Sequence, residues 1–174
     1  MIAVRHHRKT IRLREYDYSQ PGEYFITICT HEKEYKFGEI VAEEMRLSQE
    51  GIIAQQFWQQ IPRHFENAEL DEFVVMPNHI HGIIKLNDRR DVQLNVPTSH
   101  VPTRLSPNKG SLSVIMRTYK AAVTTECRRK GLSDFRWQSR FYEHIVRSNK
   151  DLDRIRDYIA GNVLQWTFDS EYLQ

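Results

Sequence analysis

Residues 73–86 read FVVMPNHIHGIIKL, and this stretch limits the possible folds more than any other part of the chain. The β-branched residues on either side of Met76-Pro77-Asn78 favour strands, and Pro77 marks an edge, bulge or bend where the second run begins. Side chains alternate along a strand, so His79 and His81 leave the same face while Ile80 points the other way. Two imidazoles side by side can donate nitrogens to one divalent cation, with a third protein ligand, water or substrate completing the shell. They can equally be a pair of exposed or hydrogen-bonded strand histidines with no metal, and the H-x-H spacing alone does not choose. Gly82 permits a close approach of another backbone or of a ligand just beyond the pair.

The chain has 174 residues, enough for one substantial core and short for two, so one domain with tails is expected. Its 40% hydrophobic and 28% charged residues fall in the ordinary globular range. The two cysteines, Cys29 in a predicted strand and Cys127 in a predicted helix, make no disulfide framework and read as isolated buried thiols. The opening MIAVRHHRKT lacks the apolar segment of a signal peptide, and no later run reaches membrane-spanning length, so a cytoplasmic protein without membrane partners is expected. A net charge of +2 is uninformative, but Arg5, Arg8, Lys9, Arg12 and Arg14 all precede the first acidic residue. Such an arm either lies along a phosphate backbone or is a solvated terminus.

Residues 1–22 are this basic arm and a Gln-Pro-Gly turn; residues 23–166 form the expected single domain, and 167–174 a tail. Residues 23–30, EYFITICT, alternate as a strand with apolar residues on both faces, which makes it central or covered on both sides. Ile40-Val41 adds a short strand. Ser48 caps a helix with Ile53, Phe57 and Ile61 on its buried stripe, Leu47 and Ile52 as a hydrophobic staple, and Pro62 at its end; Gly51 is a modest penalty in the first turn. Residues 88–110 carry three prolines and no sustained period, as a long mobile loop does. A second helix over 111–129 buries Leu112, Ile115, Tyr119 and Val123 and presents Arg117 and Lys120 outward.

Residues 135–147 interleave Trp137, Phe141 and Tyr142 with arginines, a pattern shared by base-stacking surfaces and by packed strands with flanking charges; residues 141–146 alternate as the last core strand. A final helix over 149–162, capped by Ser148 or Asn149, buries Leu152, Ile155 and Ile159. Beside that face runs a stripe of Arg154, Tyr158 and Asn162. Tyr158 either packs its ring at the edge of the core or aims its hydroxyl at a metal that Asn162 ligates through its amide oxygen. Trp166 anchors the C-terminal segment or meets DNA.

MPNHIHG, the arm running into IRLREYDY, GSLSVIMRTYKAAV, WQSRFYEHIVRS and DYIAGN, in that order, together resemble the IS200-like tyrosine transposases, and within them the REP-associated branch. The similarity covers most of the chain and is weakest over 91–106. It implies an α+β fold of the ferredoxin-like kind, an antiparallel sheet of four or five strands with helices packed on one side, the architecture of the Y1 HUH nucleases. His79 and His81 match the family's histidine pair, Tyr158 its nucleophile, and Asn162 its third polar ligand to Mg2+ or Mn2+; Asn-Val stands here where relatives more often have Asn-Pro.

The implied activity is cleavage and transfer of single-stranded DNA bearing palindromic hairpins through a 5'-phosphotyrosine, by a monomer or a homodimer. Under it, Arg5, Arg8, Lys9, Arg12, Arg14, Arg117 and Lys120 are candidates for backbone contact, and Trp137 and Tyr142 for base stacking. Arg154 either helps activate the nucleophile or pairs with Asp151 or Asp157. A non-catalytic DNA hairpin-binding protein and a water-using metal-dependent phosphodiesterase are the alternatives, and RNA remains open as a hairpin ligand.

Overall fold

The computed structural model describes residues 17–88 and 110–166. The five basic residues of the arm, most of the proline-containing segment and the tail lie outside them. Six strands and four helices follow in order: β1 (Gly22–Cys29), β2 (Gly38–Val41), β3 (Glu44–Leu47), α1 (Gln49–Gln59), α2 (Ile61–His64), β4 (Ala68–Val75), β5 (His79–Leu86), α3 (Leu112–Arg129), β6 (Tyr142–Val146) and α4 (Asn149–Gly161). The main sheet has the order β4-β5-β1-β6 and every neighbouring pair is antiparallel. β2 and β3 form a separate hairpin.

β1 is central and carries two different faces, as its alternation requires. Tyr24, Ile26 and Ile28 join Ile80 and Ile84 of β5 on one face, wholly buried beneath α1 and α3. From those helices come Ile53, Ala54, Trp58, Ile115, Tyr119 and Val123, and the Tyr119 hydroxyl donates to the Ala54 carbonyl at 3.0 Å. This is the large core. Each fully buried aliphatic side chain in it contributes roughly 1.5–3 kcal/mol. The stripe of α1 turns toward Ala54 and Trp58 more than the spacing predicts, and Ile52 is exposed, so it does not act as a staple. Ser48 does cap α1, accepting from the Gly51 amide at 3.1 Å.

Helices on one side describes α1 and α3, the layout expected of this α+β class. The fold adds α4 across the opposite face. Leu152, Ile155 and Ile159 bury against Ile83, with Phe25, Val74 and Val146 at the margin. Phe25 and Ile83 are paired across the strands, and such partners share a face. The α4 cluster is therefore a second, smaller core. Polar pairs supplement it on both flanks: Arg156 to Asp71 at 2.6 Å, beside the β4 irregularity, and His144 of β6 to Asp151 at 2.8 Å.

Gly51 and Gly82 are fixed by close approach. A Cβ on Gly51 would stand 2.1 Å from the carbonyl oxygen of Phe37, and one on Gly82 would stand 2.4 Å from the Trp58 ring. The approach that Gly82 permits is thus the core indole, on the face away from the histidines. No helix among the described residues is long and apolar enough to cross a membrane.

Candidate active site

The register of β5 on β1 places the histidines. Thr27 pairs with His81 and Cys29 with His79, while Thr27 also pairs with Tyr142 and Phe25 with His144 of β6. Since paired residues share a face, Phe25, Thr27, Cys29, His79, His81, Tyr142 and His144 all lie on the α4 side of the sheet. His79 and His81 are 0% and 3% exposed, with ring centroids 4.3 Å apart. Phe25 stacks on His81 at 5.3 Å.

α4 brings the remaining groups. The Tyr158 hydroxyl is 3.1 Å from Nε2 of His81, and Phe25 meets the Tyr158 ring edge-on at 6.1 Å. Leu152, Ile155 and Ile159 dock the helix, and successive turns then carry Tyr158 and Asn162 along the histidine side. Beyond the helix end, Trp166 stacks on His79 at 5.9 Å and meets Tyr35 edge-on, so it anchors this segment. Asn162 is thereby bracketed: the residue one turn before it touches His81, and the residue four positions after it touches His79. It is 2% exposed. Valine after Asn162 does not disturb the helix ending, because Asn162 keeps helical angles (φ −62°, ψ −39°) and Gln165 closes the last turn onto the Gly161 carbonyl.

Each histidine is held from behind through Nδ1. His81 Nδ1 lies 2.8 Å from Thr27 Oγ1, and His79 Nδ1 lies 2.8 Å from Asn78 Oδ1. Neither Thr27 nor Asn78 stands out in the sequence as a site residue. For Asn78 a signal exists, a polar side chain at the strand junction next to a histidine. For Thr27 only the strand register reveals it.

In sequence the chain is 40% identical over 171 residues to an uncharacterized protein of Haemophilus influenzae, covering 97% of this chain and 94% of that one. It is 24% identical over 152 residues to a protein of the same organism provisionally named a REP-associated tyrosine transposase, covering 84% and 72%. No protein-family model matches the chain. Among solved structures it superimposes on a REP-associated tyrosine transposase bound to a REP hairpin, with a TM-score of 0.60 at 22% identity, over 91% of this chain and 75% of that one. The chain has the REP-associated tyrosine transposase fold.

Within this transposase fold, His79, His81 and Tyr158 come together, Asn162 is buried at the end of α4 one turn beyond Tyr158, and Tyr142 lies at the margin, 41% exposed with its ring centroid 6.4 Å from that of Phe25. Other candidates stand elsewhere. Arg117 and Lys120 sit on α3, in the helix layer behind the opposite sheet face. Arg117 is exposed, whereas the Lys120 ammonium is turned inward, donating to the Gln138 carbonyl at 2.5 Å and lying over the Trp137 ring. Burial lowers the Lys120 pKa to about 8. Trp137 is a packing residue: its ring meets Phe37, Phe135 and Tyr119, and its indole N–H donates to the Lys120 carbonyl at 3.1 Å. Arg154 pairs with Asp151 at 2.7 Å. His144 first, and then Arg154, hold the Asp151 carboxyl down at about 2. Arg156 likewise lowers the Asp71 carboxyl.

Proposed function

We propose that this protein is a metal-dependent single-stranded DNA endonuclease and strand transferase of the transposase type, acting on hairpin-associated DNA through a 5'-phosphotyrosine. The observation that carries the reading is the Tyr158 hydroxyl against His81 Nε2, at the partly open edge of an otherwise buried histidine pair. A core tyrosine would bury its ring; Tyr158 is 39% exposed and keeps its oxygen beside the imidazole. The solved structure sharing this fold is bound to a REP hairpin, which favours a hairpin as the substrate.

The residues present fit a divalent cation. Two imidazole nitrogens and an amide oxygen are a donor set suited to Mn2+, or to Mg2+ where phosphate oxygens complete the shell. His79, His81 and Asn162 would hold it. Among the described residues, the three-residue group of His, Cys, Asp or Glu with ligand spacing is His31, Glu32 and Glu34 at the surface, so no carboxylate competes for this role at the histidine pair. When bound, such an ion supplies charge stabilisation at a nonbridging oxygen of the scissile phosphate.

Tyr158 is the nucleophile of the proposed reaction. Its phenol gives up its proton to solvent and the oxygen forms a bond to phosphorus while the bond from phosphorus to the 3' oxygen breaks. The electron pair leaves on that oxygen, which becomes a 3' hydroxyl after taking a proton, and the 5' end stays on the protein. One phosphodiester has been exchanged for another, so attack by a 3' hydroxyl on the phosphotyrosine rejoins strands without an external energy source. Phe25, stacked on His81 and edge-on to Tyr158, fixes the angle between them. Incubation with labelled single-stranded hairpin DNA and Mn2+ should give a covalent band on a denaturing gel that Tyr158→Phe abolishes. Cleavage that persists in Tyr158→Phe without a covalent band would replace this reading with a water-using phosphodiesterase.

A further inference from the structure

The hydrogen bond behind His79 determines which of its ring nitrogens carries the proton. The Asn78 side chain is 0% exposed, and its amide orientation is fixed: Nδ2 donates to the Lys33 carbonyl at 3.2 Å. Its Oδ1 therefore faces His79 Nδ1 at 2.8 Å. A carbonyl oxygen only accepts, so this contact requires a proton on Nδ1 of His79. The neutral ring then has its lone pair on Nε2. The backbone of Asn78 is pinned as well, its carbonyl accepting from the Thr30 amide at 2.9 Å. Asn78 thus reaches His79 from a support that joins the β4–β5 junction to the end of β1.

The partner of His81 is of a different kind. Thr27 Oγ1, at 2.8 Å from Nδ1, belongs to a hydroxyl, which can accept from Nδ1–H and can also donate to a bare Nδ1. His81 Nε2 faces the Tyr158 hydroxyl, which is equally ambivalent. His79 is locked in one tautomer, while the two hydroxyl contacts of His81 fit either one.

We propose that Asn78 and Thr27 are positioning residues that set the histidine tautomers, Asn78 by imposing Nδ1–H on His79 and Thr27 by accepting Nδ1–H from His81, so that both rings present Nε2 as a lone pair for a divalent cation. The part concerning the cation rests on the metal-dependent reading above; the tautomers themselves do not. Partners behind metal-binding histidines act in this way, and their loss typically weakens metal affinity about 10–100-fold.

The test uses the full chain with four variants: Thr27→Val, which keeps shape and removes the hydroxyl; Thr27→Ser, which restores it; Asn78→Leu; and His79→Ala. Nitrogen NMR on the metal-free protein should find His79 Nε2 unprotonated in the wild type and a tautomer mixture in Asn78→Leu. Mn2+ titration calorimetry should show binding about 10–100-fold weaker in Thr27→Val and near wild type in Thr27→Ser. A proton on His79 Nε2 in the wild type, or Thr27→Val binding Mn2+ as tightly as the wild type, overturns the proposal. If the wild type and His79→Ala are alike in failing to bind Mn2+, the metal reading fails, and NMR alone then decides the tautomer assignment. Should Asn78→Leu not fold, the Thr27 pair and the wild-type spectrum still decide.

Discussion

The Tyr158 hydroxyl reaches His81 Nε2 at 3.1 Å from a helix that holds to the sheet through a core of its own. That separation matters physically. The large core under α1 and α3 fixes β5 and its histidines, whereas Leu152, Ile155 and Ile159 hold α4 together with the pairs at Asp71 and Asp151. An element with fewer buried apolar contacts opens at lower free energy than the global fold, so the distance between Tyr158 and His81 can change while the sheet stays intact.

Asp71→Ala should therefore loosen α4 without unfolding the protein. Amides of α4 are expected to exchange faster with solvent while those of β1 and β5 keep their protection. Adduct formation should fall about 10–100-fold, since a displacement near 1 Å at a reacting group has costs of that order. Hydrogen exchange on the variant, alongside single-turnover adduct kinetics, checks both.

Lys120 gives a pH signature. Its folded pKa is depressed from 10.5 to about 8, so between those values the unfolded chain binds a proton that the folded chain has released. Stability from this group therefore rises with pH across that window, the reverse of a lysine that gains a partner. Thermal melts from pH 8 to 10.5 should show the wild type gaining a few degrees relative to Lys120→Met. Hairpin affinity of Lys120→Met at neutral pH should match the wild type, because the ammonium is engaged with Gln138 and Trp137.

Tyr142 and Trp137 should separate in opposite directions. Tyr142→Ala is expected to weaken hairpin binding by roughly 1–3 kcal/mol, the cost of losing one stacked base, with an unchanged melting temperature. Trp137→Ala should lower stability by roughly 3 kcal/mol, as loss of a packed aromatic ring does. Filter binding and denaturant melts on the two variants distinguish the roles.

Gly82→Ala should cost about 1–3 kcal/mol, because its methyl group meets the Trp58 ring at 2.4 Å and the ring has to shift. Urea denaturation measures it. The companion change Trp58→Phe should recover part of the loss by making room.

Alternation in EYFITICT and in HIHGIIKL indicated both the strands and the common face of the histidines, because period two survives any tertiary context. Ser48 and Ser148 announced their helices for a local reason, each accepting from a backbone amide three residues on. Of the hairpin of β2 and β3 only Ile40-Val41 showed as a strand, and β3 and the turn left no comparable mark. Its turn uses Ala42 and Glu43 at φ 51° and 64°, where Asn-Gly would have been the recognisable signal. The amphipathic stripe of α4 shows that one side is buried but not which sheet face covers it, and that face decides whether Tyr158 meets a histidine. Gly51 looked like a weakness of its helix and is a requirement of packing against the Phe37 carbonyl, a contact distant in sequence. Thr27 behind His81 depends on strand register, which the chain does not display locally.

The most direct test of the central claim is to map the covalent bond. Purified protein is reacted with single-stranded hairpin DNA and Mn2+, the DNA is trimmed with nuclease, and the tryptic peptide following Arg156 is fragmented in a mass spectrometer. The proposed chemistry predicts a phosphonucleotide on Tyr158, with Tyr172 of the same peptide unmodified. A nucleotide on Tyr172 or on another residue, or cut DNA accompanied by wholly unmodified protein, would contradict it.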